Sequence, residues 1–230
     1  MTQSSDNLQR FVFNEGEVRG ELVVLDETLD ETLGKQDYPE AAATLLAESL
    51  SAAVLLGGVL KMKGRISLQA KGQGPVSLLM ADCSHERGVR GLIHADDSIE
   101  PGTIGEQLGH GQLAITLEPE QGQRYQGIVP LESDSLSGCL QDYFARSEQL
   151  DTLIMLFADG ERSGGLMLQK MPGYTATDDD DLWNRLTYLA STTSQDELLE
   201  LAPETLLHRL FHEEDISLYP AEPVFFHCHC

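Results

Sequence analysis

The sequence predicts an α+β fold, with a mixed or antiparallel sheet core packed against helices and followed by a small helical linker module. Three observations support this prediction. Short segments of alternating apolar residues fill most of residues 1–175, one long apolar segment lies among them, and the pattern becomes helical from residue 182 onward. The chain has 230 residues, of which 41% are hydrophobic, so it is long enough to bury a sizeable core.

The first elements are two strands, the start of a helix and a long helix. Residues 10–25 predict two strands around the turn "NEG", and "DETL" begins a helix. Residues 37–60, "DYPEAAATLLAESLSAAVLLGGVL", are apolar around most of a helical circumference, so this helix is expected to run through the core. Asp37 is the expected N-cap, and Pro39 is expected in the first turn.

A series of strands follows the long helix. Residues 64–83 predict a hairpin that breaks at "KGQG", residues 89–95 continue the sheet, and "QLAITLE" and "RYQGIVPL" add two more strands. A helix is expected over 135–148, and "TLIMLFADGERSGGLMLQKM" predicts a final hairpin. The apolar face of that helix comprises Leu136, Cys139, Leu140, Tyr143 and Phe144.

The composition changes at "PGYTATDDDD", residues 172–181, which indicates a linker. Beyond it, "LWNRLTYLAS" predicts a helix, Ser194 and Glu197 match a capping box, and Pro203 begins another amphipathic helix. The remaining "ISLYPAEPVFFHCHC" is expected to be extended. The predicted domains are a core over 1–175, a helical linker module over 176–222 and a stub of a further domain over 223–230.

The charge of the chain excludes several classes of partner. A net charge of −23 would repel nucleic acids and anionic membranes, so neither is an expected partner. No secretory signal opens the chain, and the apolar run "AAVLLGGVL" is too short to span a bilayer. We therefore expect a cytoplasmic protein, in which four cysteines are thiols or metal ligands rather than structural disulfides.

Two cysteines, Cys228 and Cys230, lie in the last three positions. In an extended segment both thiols point to one side, while His227 and His229 point to the other. A closed zinc site needs four ligands, so the missing two would lie beyond residue 230 or in a second chain, unless the pair binds no metal. A disulfide between them would be strained and labile, because strand Cα atoms two residues apart are roughly 6.6–7.2 Å apart. Two incidental thiols remain the simplest alternative.

The other reactive side chains do not form a catalytic constellation. Cys139 is expected to be a buried, inert thiol, and Cys83 is near His85 only in sequence. His208 and His212 are four residues apart but lack the glutamate of a zinc-binding H-E-x-x-H helix. The run "DDDD" lacks the spacing of a calcium loop, and neither "GQGP" nor "GTIG" continues into a phosphate loop. We therefore expect a protein that is not an enzyme.

Several segments together closely resemble the heat-shock protein 33 family of redox-regulated bacterial chaperones. Among them are "VRGELVVLDETLDE", "YPEAAATLLAESLSAAVLL", "GRISLQAKGQGPVSLLMADC", "LLHRLFHEEDISLY" and the terminal "CHC". They extend from about residue 17 to the last residue, and the match is specific only in combination. The family pattern places a C-x-x-C roughly thirty residues after a C-x-C, and the four thiolates hold one zinc ion. Cys228 and Cys230 match the first motif, and the second has no counterpart here, so we expect a family member cut at its first ligand pair.

The resemblance also implies a mechanism. Reduced, zinc-bound family members are inactive. Oxidants convert the pair matched by Cys228 and Cys230 to a disulfide and expel the zinc, which destabilises the neighbouring linker. Apolar surface then captures unfolding or oxidatively damaged proteins without ATP, and active members form homodimers. The helical segment 182–214 is expected to act as a lid that docks on the core sheet.

Two other functions remain open. A thiol-disulfide oxidoreductase would use Cys228 and Cys230 as its redox pair, but the nearby Glu222 and the lack of Lys or Arg from residue 210 onward disfavour a reactive thiolate. A zinc-dependent interaction module would share one ion between two chains.

Overall fold

The computed structural model describes residues 6–13, 17–59, 63–172 and 181–228. Its strands are β1 (Asn7–Phe13), β2 (Val18–Leu25), β3 (Gly64–Lys71), β4 (Val76–Ser84), β5 (Gly88–Ala95), β6 (Gln112–Pro119), β7 (Tyr125–Pro130), β8 (Thr152–Ala158), β9 (Ser163–Lys170), β10 (Ile216–Leu218), β11 (Glu222–Pro223) and β12 (Phe225–Phe226). Its helices are α1 (Glu27–Leu33), α2 (Glu40–Gly58), α3 (Ile104–Leu108), α4 (Leu136–Tyr143), α5 (Leu182–Ser191), α6 (Gln195–Glu200) and α7 (Pro203–Phe211). The predicted turn "NEG" and most of the predicted acidic linker lie outside the described residues.

The strands form two sheets. Sheet A has the order β10-β1-β2-β9-β8, with β11 also paired to β1, and sheet B has the order β12-β5-β4-β3-β6-β7. The predicted hairpins β1–β2, β3–β4 and β8–β9 are present, and these pairs are antiparallel. Strand β12 pairs with β5 in parallel, which makes sheet B mixed. The predicted α+β fold with a mixed or antiparallel sheet core is therefore confirmed.

Helix α2 lies between the two sheets and is buried on nearly all sides. Its leucines reach both sheets because glycines leave room for them. A Cβ at Gly91 of sheet B would lie 2.9 Å from both Leu46 Cδ1 and Leu50 Cδ2, and a Cβ at Gly165 of sheet A would lie 2.8 Å from Leu55 Cδ1. By length and composition alone α2 could span a bilayer, contrary to the estimate from its nine-residue apolar run. However, 83% of its apolar window is buried inside the protein, as in the core helix of a globular domain.

Local details at several helix ends differ from the prediction. Helix α2 begins at Glu40 with Pro39 as its N-cap, so the prediction of Asp37 as N-cap was wrong. The glycine-rich stretch before β6 contains α3. Thr103 and Glu106 form a capping box at the start of this helix. A π-helical turn over Phe144–Glu148 ends the predicted helix 135–148. The pair of Thr103 and Glu106 is a local sequence signal for α3, whereas packing sets where α2 begins and where α4 ends.

The outer faces of the two sheets differ in polarity. On β3 of sheet B, buried apolar residues face α2 and alternate with outward polar ones. The outward residues of β3 are Arg65, Ser67, Gln69 and Lys71. On β9 of sheet A, by contrast, seven consecutive residues from Ser163 to Gln169 are buried. Sheet A therefore needs an apolar cover on both faces, and α2 supplies only one of them.

Replacing Gly91 by valine tests the close approach of α2 to sheet B. The added side chain would overlap Leu46 and Leu50, so we expect Gly91→Val to lower the free energy of unfolding by about 1–3 kcal/mol. Urea unfolding followed by far-UV circular dichroism measures this loss. In the control Gly105→Ala, the new Cβ would meet only Thr103 Oγ1 at 4.0 Å, so stability should be unchanged or slightly higher. Equal stabilities for Gly91→Val and the parent chain would refute the packing described for α2.

Candidate functional site

The outer face of sheet A is covered by the three helices α5, α6 and α7, which we call the lid (Leu182–Phe211). This docking was predicted from the amphipathic pattern of these helices, and the structure confirms it. The helices have ten, six and nine residues, whereas isolated helices shorter than about 12–15 residues are marginal in water. The lid therefore depends on its contact with sheet A for its own structure.

Apolar side chains from both surfaces form a second hydrophobic core, separate from the one around α2. The sheet contributes Phe11, Phe13, Val18, Leu22, Leu166 and Leu168. The lid contributes Leu182, Leu186, Ala190, Leu198, Leu199, Leu206, Leu207, Leu210 and Phe211. Phe211 is fully buried, and its ring meets Phe13 edge-to-face with centroids 5.0 Å apart. Removing the lid would expose a continuous apolar strip on β1, β2 and β9.

Polar contacts also join the helices of the lid to one another and to the residues that follow them. Ser194 and Glu197 form the predicted capping box at the start of α6. Arg185 pairs through two hydrogen bonds with Glu214, whose side chain is only 7% exposed. Arg209 contacts Glu197 at 3.0 Å in a more exposed pair, which contributes little to stability. Apolar burial rather than these polar contacts therefore decides whether the lid stays docked.

After the lid, the chain runs along the edges of both sheets as an extended segment, which we call the clasp (residues 216–228). Strands β10 and β11 pair with β1 of sheet A, and β12 pairs with β5 of sheet B. Between them Val224 is fully buried, and its amide donates to the carbonyl of Asp6. The extended conformation predicted for this segment is confirmed. The predicted limits of the three domains, 1–175, 176–222 and 223–230, stay a prediction.

Glu222 anchors the clasp to both sheets. One of its carboxylate oxygens pairs with Arg10 of β1 at 2.5 Å, and the other pairs with Arg87 Nε at 2.8 Å. The Arg87 side chain is 8% exposed, and its Nη1 also donates to the carbonyl of Gly57 at the end of α2. The Arg87 backbone has a left-handed φ of 68°, and its carbonyl accepts from the amide of Phe225. Arg87 thus holds the clasp through both its side chain and its main chain.

Sequence reasoning missed this ionic anchor. It counted only the cations near Glu222 along the chain, and the structure brings in Arg10 and Arg87 from much earlier segments. The left-handed conformation of Arg87, which is uncommon outside glycine, has no local sequence signal. An isolated glutamate between two prolines in an otherwise apolar segment was the one available hint.

A buried carboxyl lies beside the anchor. Glu21 is 3% exposed and lies against Gly58 at the end of α2, and its Oε2 has no hydrogen-bond partner among the described residues. Burial raises the pKa of Glu21 to about 8, although the charges of Arg19, Arg87 and Arg10 oppose the rise. Near neutral pH this carboxyl is therefore largely protonated in the folded protein.

The cysteines occupy two kinds of environment. Cys83 and Cys139 are free and fully buried, and burial raises both thiol pKa values, that of Cys83 to about 12. Neither can supply a thiolate near neutral pH, so a Cys83/His85 nucleophile is disfavoured. Cys228 is exposed at the end of the clasp and is disulfide-bonded, whereas Cys230 lies outside the described residues. The assignment of Cys228 and Cys230 as a redox and zinc pair stays a prediction.

The zinc prediction can be compared with the donors that the structure describes. Cys228 is accessible, but as a disulfide it offers no thiolate, so it could bind zinc only after reduction. His208 on α7 and His212, which caps the end of α7, are exposed, with ring centroids 6.0 Å apart. Among the described residues, no three or more His, Cys, Asp or Glu side chains are grouped closely enough to hold a metal ion. Zinc at Cys228 and Cys230 would therefore need further ligands from elsewhere.

Comparisons with known proteins agree in pointing to one family. The model of the family described as Hsp33 protein matches residues 6–230. The 33 kDa chaperonin of Pseudomonas fluorescens (strain SBW25) is 47% identical, over 98% of this chain and 77% of the relative. The 33 kDa chaperonin of Hahella chejuensis is 46% identical, over 98% of this chain and 80% of the relative. The crystal structure of the Thermotoga maritima 33 kDa chaperonin has a similar fold, with a TM-score of 0.81 and 21% identity over 97% of this chain and 81% of that one.

Replacing Glu21 by glutamine tests the buried carboxyl. An unfolded glutamate loses its proton near pH 4.5, whereas folded Glu21 keeps its proton up to about pH 8. The contribution of Glu21 to stability therefore falls as the pH rises through this window. The free energy of unfolding of Glu21→Gln minus that of the parent chain should therefore be higher at pH 8.5 than at pH 5.5. We expect this difference to rise by about 1–3 kcal/mol, since one pKa unit is worth about 1.4 kcal/mol. Urea unfolding at both pH values measures the difference.

The matched control is Glu161→Gln, which changes an exposed glutamate in the β8–β9 turn. Its stability should follow that of the parent chain at both pH values. If the stability of Glu21→Gln also changes with pH as that of the parent chain does, Glu21 is ionised in the folded protein.

Proposed function

The chain belongs to the Hsp33 family, a family of chaperones, and we propose that it is an ATP-independent holdase that binds unfolding or oxidatively damaged proteins in the cytoplasm. The docking of the lid on the apolar outer face of sheet A carries this proposal. An apolar strip that a marginal cover hides can switch between inactive and binding states without any chemical reaction at the strip itself. The opening of the lid is then the activating step.

The uncovered strip suits an unfolding protein. Phe11 and Phe13 provide large aromatic surfaces, and the leucines of β2 and β9 extend them along the sheet. Continuous exposed apolar surface of this kind binds other apolar surfaces with little dependence on sequence. Such breadth is what a holdase requires, because its clients share exposed apolar residues rather than a common motif.

The proposed switch is the thiol pair at the end of the clasp. Oxidation of Cys228 and Cys230 to a disulfide removes two protons and two electrons, which a peroxide accepts to give two waters. In the reduced protein the two thiolates would be two of four zinc ligands, with the others from outside these 230 residues. A zinc ion held there would stabilise the folded state of the segment that carries its ligands. Homodimer formation on activation belongs to the same proposal.

The alternative function, a thiol-disulfide oxidoreductase, gains no support from the relatives compared above, which are named as chaperonins. The two free thiols, Cys83 and Cys139, are both buried, which leaves no accessible nucleophile at either position.

Light scattering of a heat-labile client enzyme tests the holdase function directly. Without the remaining zinc ligands, the redox state of the thiol pair cannot change how firmly the lid is docked, so a polypeptide of these 230 residues should suppress aggregation similarly with dithiothreitol and with peroxide. Sedimentation of the same samples reports whether the active form is a dimer. If the client aggregates fully in both redox states, the proposed function fails.

Truncating Phe211 tests whether lid opening controls activity. Loss of this buried ring costs about 3–5 kcal/mol of packing between the lid and sheet A, so Phe211→Ala should bind an apolar fluorescent dye more strongly and suppress aggregation at lower concentration. The control is Tyr188→Ala on α5, whose side chain is 71% exposed, and its activity should match that of the parent chain. If Phe211→Ala suppresses aggregation no better than the parent chain, opening of the lid does not control client binding.

A further inference from the structure

We propose that the edges of β1 and β5 form a second client site, a groove for one extended peptide segment, and that the clasp occupies this groove as a built-in stand-in for that segment. The proposal rests on the proposed holdase function, but it assigns a different surface from the apolar strip beneath the lid. The strip accepts side chains on the face of sheet A. The groove instead accepts a polypeptide backbone along the edges of both sheets.

The topology defines the groove. Among the described residues, strand β1 is paired with β2 on one side and only with β10 and β11 on the other. In the same part of the chain, strand β5 is paired with β4 on one side and only with β12 on the other. Both strands therefore become sheet edges when the clasp leaves, and each then offers unpaired amide and carbonyl groups. A single extended segment can follow both edges, because the clasp itself does so.

The contacts of the clasp indicate which segments would fit. A carboxylate at the position of Glu222 lies between Arg10 and Arg87. Two residues later, the side chain of Val224 fills a fully buried slot. The ring of Phe226 then lies 5.0 Å from the ammonium of Lys35. The preferred ligand is therefore an extended segment with an acidic residue, an aliphatic residue two positions later and aromatic residues after that.

The clasp is also suited to be displaced. Its ladders are short, with three residue pairs for β10 and two each for β11 and β12. Pro220 and Pro223 have no amide hydrogen, so they cannot donate to a neighbouring strand. Leu218 and Phe225 are more than 40% exposed and add little burial. A client segment without prolines can form more main-chain hydrogen bonds along the same edges.

A fluorescein-labelled peptide of sequence ISLYSAESVFF, the clasp sequence over 216–226 with serine at both proline positions, provides the probe. Weakening the clasp frees the groove, so Glu222→Gln should raise the affinity for this peptide about tenfold in fluorescence anisotropy. Phe225→Ala should raise it less, because this ring is 43% exposed. The control Glu132→Gln removes the exposed ion pair with Arg146 and should leave the affinity unchanged.

The peptide sequence supplies a second test on the same proteins. A peptide with lysine instead of glutamate at its seventh position should bind Glu222→Gln at least about tenfold more weakly, because it would meet Arg10 and Arg87 with a like charge. Equal binding of the two peptides overturns the proposed groove. So does an affinity that Glu222→Gln leaves unchanged while circular dichroism shows a folded protein.

Two further outcomes separate this groove from its alternatives. If Glu222→Gln forms dimers that exclude the peptide, the edges accept the clasp of a second copy, and the client groove is overturned. If client aggregation is suppressed but excess peptide never binds, the holdase function stands and the groove fails. Peptide binding without any suppression of aggregation would support the groove and overturn the holdase function.

Discussion

Sheet A is apolar on both faces, and the rest of the architecture follows from the need to cover it. Helix α2 covers the inner face permanently, since it is also enclosed by sheet B. The outer face is covered by the three short helices of the lid. Because these helices are marginal on their own, their docking is the contact that external conditions can shift most readily. The proposed chaperone function uses this asymmetry between a permanent cover and a conditional one.

The clasp connects this conditional cover to the thiols. Along the chain, the lid ends at Phe211, the clasp follows, and Cys228 comes two residues after β12, the strand that pairs with β5. Glu222 fixes the clasp to Arg10 on β1 of sheet A and to Arg87 in the β4–β5 turn of sheet B. Glu21, buried close to the same anchor, adds a carboxyl whose ionisation depends on pH. Glu21 and Arg87 both lie at the end of α2, against Gly58 and the Gly57 carbonyl respectively.

Much of this architecture could be predicted from the sequence, because its signals are local. Alternating residues identified the hairpins, the uniformly apolar segment identified α2 as a core helix, and the Ser194 capping box identified α6. The ionic anchor could not be predicted, because Arg10, Arg87 and Glu222 meet only through tertiary structure. The N-cap of α2 was wrong for a related reason, since packing between two sheets rather than a side-chain cap sets where that helix begins.

Native-state hydrogen exchange in low concentrations of denaturant tests most directly whether the lid is a separate conditional cover. The account predicts that amides of α5 and α7 exchange through a partial opening, with a lower free energy and a weaker denaturant dependence than amides of α2 and β9. Amides of the lid that exchange only by global unfolding, with the same free energy as α2, would contradict it.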